Sequence, residues 1–309
     1  MANDYTDVGI FERDGRIDNL DRSIELLWER RDEHAGVLGQ FFNDQMAESM
    51  SYKLSSVSSV VGMPVENEDT EEAPYVTSAP GFDKTFTLVP YRLFVRVTGT
   101  MLLADRFNNI VAQTGGLITS SMRRIEYLRA GTFTNAFTGT AGADGKPLVG
   151  DDHPQEDNRA TNWDNEGTGA LTGANLQALV LLGQNMTNEI GAPDPVDIKK
   201  LLVPTALRQK ALELTGSVLA AEVSTNTKTV IIGGIEVVTS PHLTGSATAY
   251  FGFGDREGEN KGLHEIYLMR PELANTGNNP VDIPIDKRIK FITQVGFTTS
   301  RNVIGSLGT

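Results

Sequence analysis

The sequence predicts an α+β fold, and three observations carry that reading. Apolar residues recur at helical spacing from about residue 99 to 137, period-two segments flank an acidic stretch near residue 70, and the last third is dominated by strand patterns. Helical and β regions are thus segregated along the chain, in the order arm, hairpin, long helix, mixed elements, strands. No repeat of 20 to 50 residues interrupts that order.

Residues 1–50 form a polar, acidic arm. Twelve Asp/Glu against five Arg give them a charge of −7, more than half of the net −13 of the 309-residue chain. Ile24, Leu27 and Trp28, then Val37, Leu38, Phe41 and Phe42, fall at helical spacing, but their flanks are too hydrophilic to build a core unaided. The arm is expected to dock on something else.

From Tyr52 to Val97 the pattern becomes β-rich, with Leu54, Val57 and Val60 on one side of an acidic middle and Phe86, Leu88, Leu93 and Val95 on the other. This predicts a long two-stranded excursion. Its middle holds Glu66, Glu68, Asp69, Glu71 and Glu72 between Pro64 and Pro74, a charged tip followed by Tyr75. Such a hairpin is marginal by itself and is expected to lie on a neighbouring surface.

The strongest helical stripe comprises Leu103, Phe107, Ile110, Leu117, Ile125 and Leu128. A helix of about 35 residues would be about 52 Å long, and Gly115-Gly116 should bend or weaken it midway. A Gly, Asp and Asn-rich connection follows over residues 138–173. Leu176, Leu179, Leu182, Met186 and Ile190 mark a second helix, ending before Gly191. Ile198 to Val203 reads as a buried strand, and Pro204 opens a third helix with Leu207, Ala211 and Leu214. Residues 229–239 form a hairpin candidate about Gly233-Gly234, followed by strands at Thr248 to Phe253, Glu265 to Met269 and Ile289 to Phe297.

Composition excludes several functions. An acidic chain without a Lys/Arg cluster repels a phosphate backbone, so direct duplex binding is not expected. With no cysteine there are no disulfides, thiolate metal sites or Cys nucleophiles. The N-terminal residues carry acids where a signal peptide carries bases, and no apolar run approaches membrane-spanning length, so the chain is read as soluble and intracellular, with no membrane partner.

Catalytic signatures fail in turn: there is no phosphate-binding loop, no His-Glu-x-x-His and no Gly-x-Ser-x-Gly. Only four histidines occur, at 34, 153, 242 and 264. The best site-like cluster is Asp151, Asp152, His153, Glu156 and Asp157, whose carboxylates and imidazole suit a hard divalent cation. It lacks the ligand register of a calcium loop, so a solvated acidic loop is the main reading and Asp151, Asp152 and His153 remain weak metal candidates. The hairpin acids would need a pocket to act as a hydrolytic pair, and a loop tip offers water instead. No cofactor is implied.

The order of elements resembles the major capsid proteins of tailed bacteriophages, with the Hong Kong 97-type fold, and in particular the Mu-like major head subunits. The resemblance spans most of the chain. It rests on the arm, Gly62-Met-Pro-Val-Glu66, Ala73-Pro-Tyr75, and Asp83-Lys-Thr-Phe-Thr-Leu-Val-Pro-Tyr91 leading into the long helix. Asp144-Gly-Lys-Pro-Leu148, Asp152-His-Pro154 and Leu202-Val-Pro-Thr-Ala-Leu207 complete it. The resemblance implies an N-terminal arm at 1–50, an extended hairpin loop at 51–98, a peripheral domain with the spine helix at 99–199, an axial domain at 200–270, and return strands to the peripheral domain at 271–309. It further implies a structural, non-enzymatic subunit that self-assembles as hexamers and pentamers into an icosahedral head around double-stranded DNA, in the virion after synthesis in the host cytoplasm. Scaffolding, portal and decoration or cement proteins would be its partners. Trp28, Phe41, Phe42, Glu66, Glu68, Asp69, Glu71, Glu72, Tyr75 and Lys84 are the expected contacts between copies. An encapsulin-like nanocompartment shell is the alternative on the same fold, and a carboxylate-based hydrolase the alternative from another class.

Overall fold

The computed structural model describes residues 36–57, 80–97, 107–139, 141–155, 162–187, 193–216, 234–256, 261–276 and 285–309. They divide between two compact units that interleave along the chain. One takes residues up to Gly36, Leu88–Glu126 and Tyr267–Thr293; the other takes Val37–Thr87, Tyr127–Ile266 and Gln294–Thr309.

The strands are β1 (Asn43–Met46), β2 (Ser51–Val57), β3 (Pro80–Thr87), β4 (Val89–Val97), β5 (Glu166–Gly167), β6 (Ile198–Pro204), β7 (Glu236–Ser240), β8 (Tyr250–Gly254), β9 (Leu263–Thr276), β10 (Ile285–Phe297) and β11 (Val303–Ser306). The helices are α1 (Phe107–Thr134), α2 (Gly173–Gln184) and α3 (Arg208–Gly216), with 3₁₀ turns at Val37–Phe41 and Thr205–Leu207. The strands order as β1-β9-β10-β4, β5-β11-β8-β6-β7, and the separate pair β2-β3.

In the first unit α1 lies on β4, β9 and β10. Leu117, Ile118 and Ile125 on the expected stripe bury against Ile289 and Phe291 of β10, with Tyr91, Val95, Met122 and Leu273 beside them. Tyr91 and Phe291 are cross-strand partners whose rings stack at 5.1 Å. Within the described residues α1 spans 28 residues, about 42 Å, and runs through Gly115-Gly116 as one element, while 99–106 of the expected helix lie outside them. The Thr119 hydroxyl donates to the Gly115 carbonyl at 3.0 Å and Ser121 to that of Ile118 at 2.7 Å, so these polar side chains are satisfied within the helix.

The second unit is built around a five-stranded sheet buried on both faces. Leu202, Phe251, Phe253 and Val303 enter one core with Leu38, Phe41, Phe42 and Phe133. Their sequence neighbours Leu201, Val203, Tyr250 and Ile304 enter the other, with Leu176 and Leu179 of α2 and Ala211 and Leu214 of α3. Side chains alternate across a strand, so a strand covered on both sides reads as the uninterrupted apolar run seen in β6. Gly252 lets the strand pack closely, since a Cβ there would stand 2.7 Å from Ile198 Cδ1 and displace that side chain.

Two sequence expectations are corrected. The excursion from 52 to 97 is not one hairpin: β2 pairs with β3, whereas β4 pairs antiparallel with β10. Leu88, only 2 % exposed, marks the change, and beyond it Tyr91 and Val95 bury on α1. Helix α2 stops at Gln184, because the chain turns back to give hydrogen bonds from Asp194 N to Met186 O at 2.9 Å and from Val196 N to Gly183 O at 2.8 Å. α2 shares its core with β6 and β8. Strand β7, at the edge of its sheet, pairs in parallel with β6, and the first half of the hairpin candidate over 229–239, Thr229 to Gly233, lies outside the described residues. Gly234 does adopt the left-handed φ of +99° expected of a turn glycine.

Candidate functional site

The acidic loop is resolved into a structural clasp. Among the described residues no three His, Asp or Glu side chains are placed to hold a metal. Asp151 and Asp152 are exposed, and Asp152 pairs with Lys146, whose hydrogen bond holds its carboxyl below the usual range. His153 points the other way and is fully buried. Its Nδ1 lies 2.7 Å from Asp144 Oδ2, and its ring stacks on Trp163 at 4.4 Å. Backbone bonds of 3.0 and 2.9 Å join the same two residues, and Arg301 covers Trp163 at 4.8 Å while donating to Gln155 Oε1 at 2.8 Å. The imidazole is held against Asp144 and Trp163, away from the exposed Asp151 and Asp152. Glu156 and Asp157 lie outside the described residues.

Asn165 closes the clasp. Its amide nitrogen donates to Leu148 O at 2.9 Å and Val303 O at 2.8 Å, and its oxygen accepts from Gly150 N at 2.9 Å. The Gly, Asp and Asn-rich connection is therefore anchored to the sheet by buried hydrogen bonds. Sequence reasoning missed this, and the available signal was the run Leu148-Val149 and Trp163 inside polar surroundings.

The surfaces offered outward are the remaining candidates. On β2, Ser51 to Ser55 alternate between exposed and half-buried, and none is buried. The base of the hairpin is fixed more firmly. Phe86 is 3 % exposed and meets the His264 ring edge-on at 6.3 Å, and a Cβ at Gly296 would stand 2.8 Å from Phe86 Cε1. Lys53 bridges to Asp83 at 2.6 Å, which holds that carboxyl below its usual range, and Lys84 donates to the Ala141 carbonyl. His264 accepts from or donates to Thr298 Oγ1 at 2.8 Å, and burial pushes its pKa down to about 4.

Strand β4 is an edge of its sheet and leaves Val89, Leu93 and Phe94 exposed, Phe94 at 53 %. Its face opposite α1 carries Arg92, Phe94 and Arg96, with Arg288 and Lys290 from β10.

Of the expected contacts, Phe41 and Phe42 are corrected. Each is 4 % exposed, and Phe41 stacks on Phe253 at 4.1 Å while Phe42 meets Phe133 at 5.8 Å, so their rings serve the chain's own core. Lys84 sits at the hairpin base. Trp28, Glu66, Glu68, Asp69, Glu71, Glu72 and Tyr75 lie outside the described residues.

The model of a family described as phage capsid protein matches residues 82–297, more than two thirds of the chain. The chain belongs to the phage capsid protein family. Among solved structures, it is similar to the capsid of cyanophage P-SCSP1u, with a TM-score of 0.57 and 11 % identity over 88 % of each chain. It is also similar to the capsid of Ralstonia phage GP4, with a TM-score of 0.55 and 10 % identity over 86 % of each chain. The mature capsid of bacteriophage PhiM1 gives a TM-score of 0.52 and 12 % identity over 85 % of each. No curated protein sequence matches the chain. The fold is the Hong Kong 97-like capsid fold, and the phage capsid protein is a structural protein of the virion.

Proposed function

We propose that this phage capsid protein is the major head subunit, tiling as hexamers and pentamers into an icosahedral shell that encloses double-stranded DNA without sequence-specific contacts. The observation that carries this reading is the family match over residues 82–297, in a chain whose β2 strand is nowhere buried from Ser51 to Ser55. A two-stranded pair is marginally stable by itself, whereas a closed assembly of identical subunits repeats the same contact and buries it. The acidic tip, Glu66 to Glu72, and Tyr75 would lie across a neighbouring copy, and Trp28 would anchor the arm. Scaffolding, portal and decoration or cement proteins are the expected partners, with synthesis in the host cytoplasm. The narrower kinship with Mu-like head subunits rests on the sequence features alone.

The net charge of −13 suits a wall that repels packaged DNA at close range. Electron microscopy of the full-length chain expressed with its phage's head genes tests the proposal: closed shells of uniform size are expected. Free monomers under all conditions would overturn it, and shells filled with protein cargo instead of DNA would favour a nanocompartment.

A further inference from the structure

In the second unit, the end of α1, the loop between β7 and β8, and Leu307 beyond β11 line a cavity of about 160 Å³. Its floor is apolar: Phe133, Leu243, Ala249 and Phe251 are each 1 to 8 % exposed, so no water reaches behind them. Phe137 adds a side wall, its ring 5.8 Å from that of Phe251, and the exposed Thr138 and Leu307 stand at the mouth. The polar groups of the loop are engaged in fixing its shape. Ser246 Oγ accepts from Thr248 N at 3.3 Å and from Ala249 N at 3.1 Å, and Thr248 Oγ1 donates to the Leu307 carbonyl at 2.9 Å. Gly245 packs on the helix end so closely that a Cβ there would stand 2.3 Å from Thr134 Cγ2. Loop and helix end are locked together, and the cavity beside that contact is preformed.

The lining decides the chemistry of an occupant. None of its residues is ionisable, so an ion would give up its hydration without recompense. Water among apolar walls meets few hydrogen-bond partners, and a ligand that displaces it gains the apolar contact. The volume decides the size. Drug-sized ligands take about 300 Å³ or more, whereas a dry apolar cavity of about 150 Å³ admits benzene. The rings of Phe133 and Phe137 lie 5.6 and 5.8 Å from that of Phe251, a spacing at which faces and edges are offered to a further ring. We propose that this cavity binds a neutral aromatic molecule of one ring. Bound there, the ring would join α1 to the loop and to the segment after β11, and binding to the native state alone raises the unfolding temperature.

Toluene is the probe, added at about 2 mM to the full-length unassembled subunit, with saturation-transfer NMR reading contact and thermal unfolding reading stability. The unaltered subunit transfers saturation to the toluene ring, and its unfolding midpoint rises by about 2 °C. Benzoate, the same ring with a carboxylate, binds at least tenfold more weakly. Ala249→Leu fills the cavity, abolishing the toluene signal while the midpoint without ligand stays level or rises. Thr138→Trp closes the mouth from an exposed position and makes the same test should the larger residue at 249 prevent folding. Leu307→Asp, which sets a carboxylate at the mouth, lowers toluene affinity several-fold. Toluene binding retained by the folded Ala249→Leu or Thr138→Trp subunit would overturn the proposal, as would benzoate binding as tight as that of toluene. Toluene expelled when shells form, with the amides of Phe137 and Leu307 gaining protection, would assign the cavity to an apolar side chain of a neighbouring copy and overturn the small-ligand reading.

Discussion

The five-stranded sheet and the β2-β3 hairpin are both β structure in the same unit, yet they solve burial in opposite ways. Leu201, Leu202, Phe251, Val303 and Ile304 of the sheet are 0 to 1 % exposed, with a core on each face. From Ser51 to Ser55 no β2 residue is buried, whereas the base of the hairpin is anchored by Phe86 and Lys84. The sheet's stability is internal to the subunit, and the hairpin's depends on what it meets. Folding and assembly should therefore separate by mutation.

The largest folding effect is expected in the sheet unit. Phe133 meets Phe42, Phe251 and Phe253 at ring distances of 5.6 to 5.8 Å and is 2 % exposed. Phe133→Ala should cost about 3–5 kcal/mol, measured by chemical denaturation. Arg129→Ala comes next. The guanidinium donates to Glu265 Oε2 at 3.0 and 2.7 Å, and Glu265 is 2 % exposed, so truncation removes both bonds from a buried carboxylate at a cost of about 3–5 kcal/mol. Retained stability would show that water reaches Glu265.

His264 links the two regions through its contact with Phe86. Its folded pKa is about 4, below the 6.5 of the free side chain, so the unfolded chain takes up the proton first as pH falls. Stability is unaffected above about pH 6.5, declines between 6.5 and 4, and is lower by about 3 kcal/mol at most below that. His264→Gln should flatten that part of the pH profile, and an unchanged slope would place the acid sensitivity elsewhere. A smaller loss, about 1 kcal/mol, is expected from Thr172→Ala, because Thr172 Oγ1 accepts from Asn175 N at 3.2 Å and caps α2. Deleting residues 66–72 should change the folding free energy least, below about 0.5 kcal/mol, yet abolish shell formation. Equal loss of both would break the contrast.

The elements that were legible in the sequence were those whose burial is written in their own periodicity. The α1 stripe of Leu117, Ile118 and Ile125, the apolar run of β6 and the alternation of β10 each appear where periodicity puts them. What escaped was decided by tertiary geometry. Leu88 breaks the apparent hairpin because its burial turns the chain toward β10, which no local pattern encodes. His153 looked like a ligand beside two carboxylates, but the Trp163 that stacks on it comes ten residues later, across an antiparallel bridge. Phe41 and Phe42 read as interface residues because their neighbours are polar, while their actual partners, Phe133 and Phe253, are remote in sequence.

Amide hydrogen exchange on the unassembled subunit and on the assembled shell tests the central claim most directly. Protection over β2 and β3 should rise by at least tenfold on assembly, while β6, β8 and β11 remain unchanged. Equal protection of the hairpin in both states would contradict the dependence of its stability on neighbouring copies.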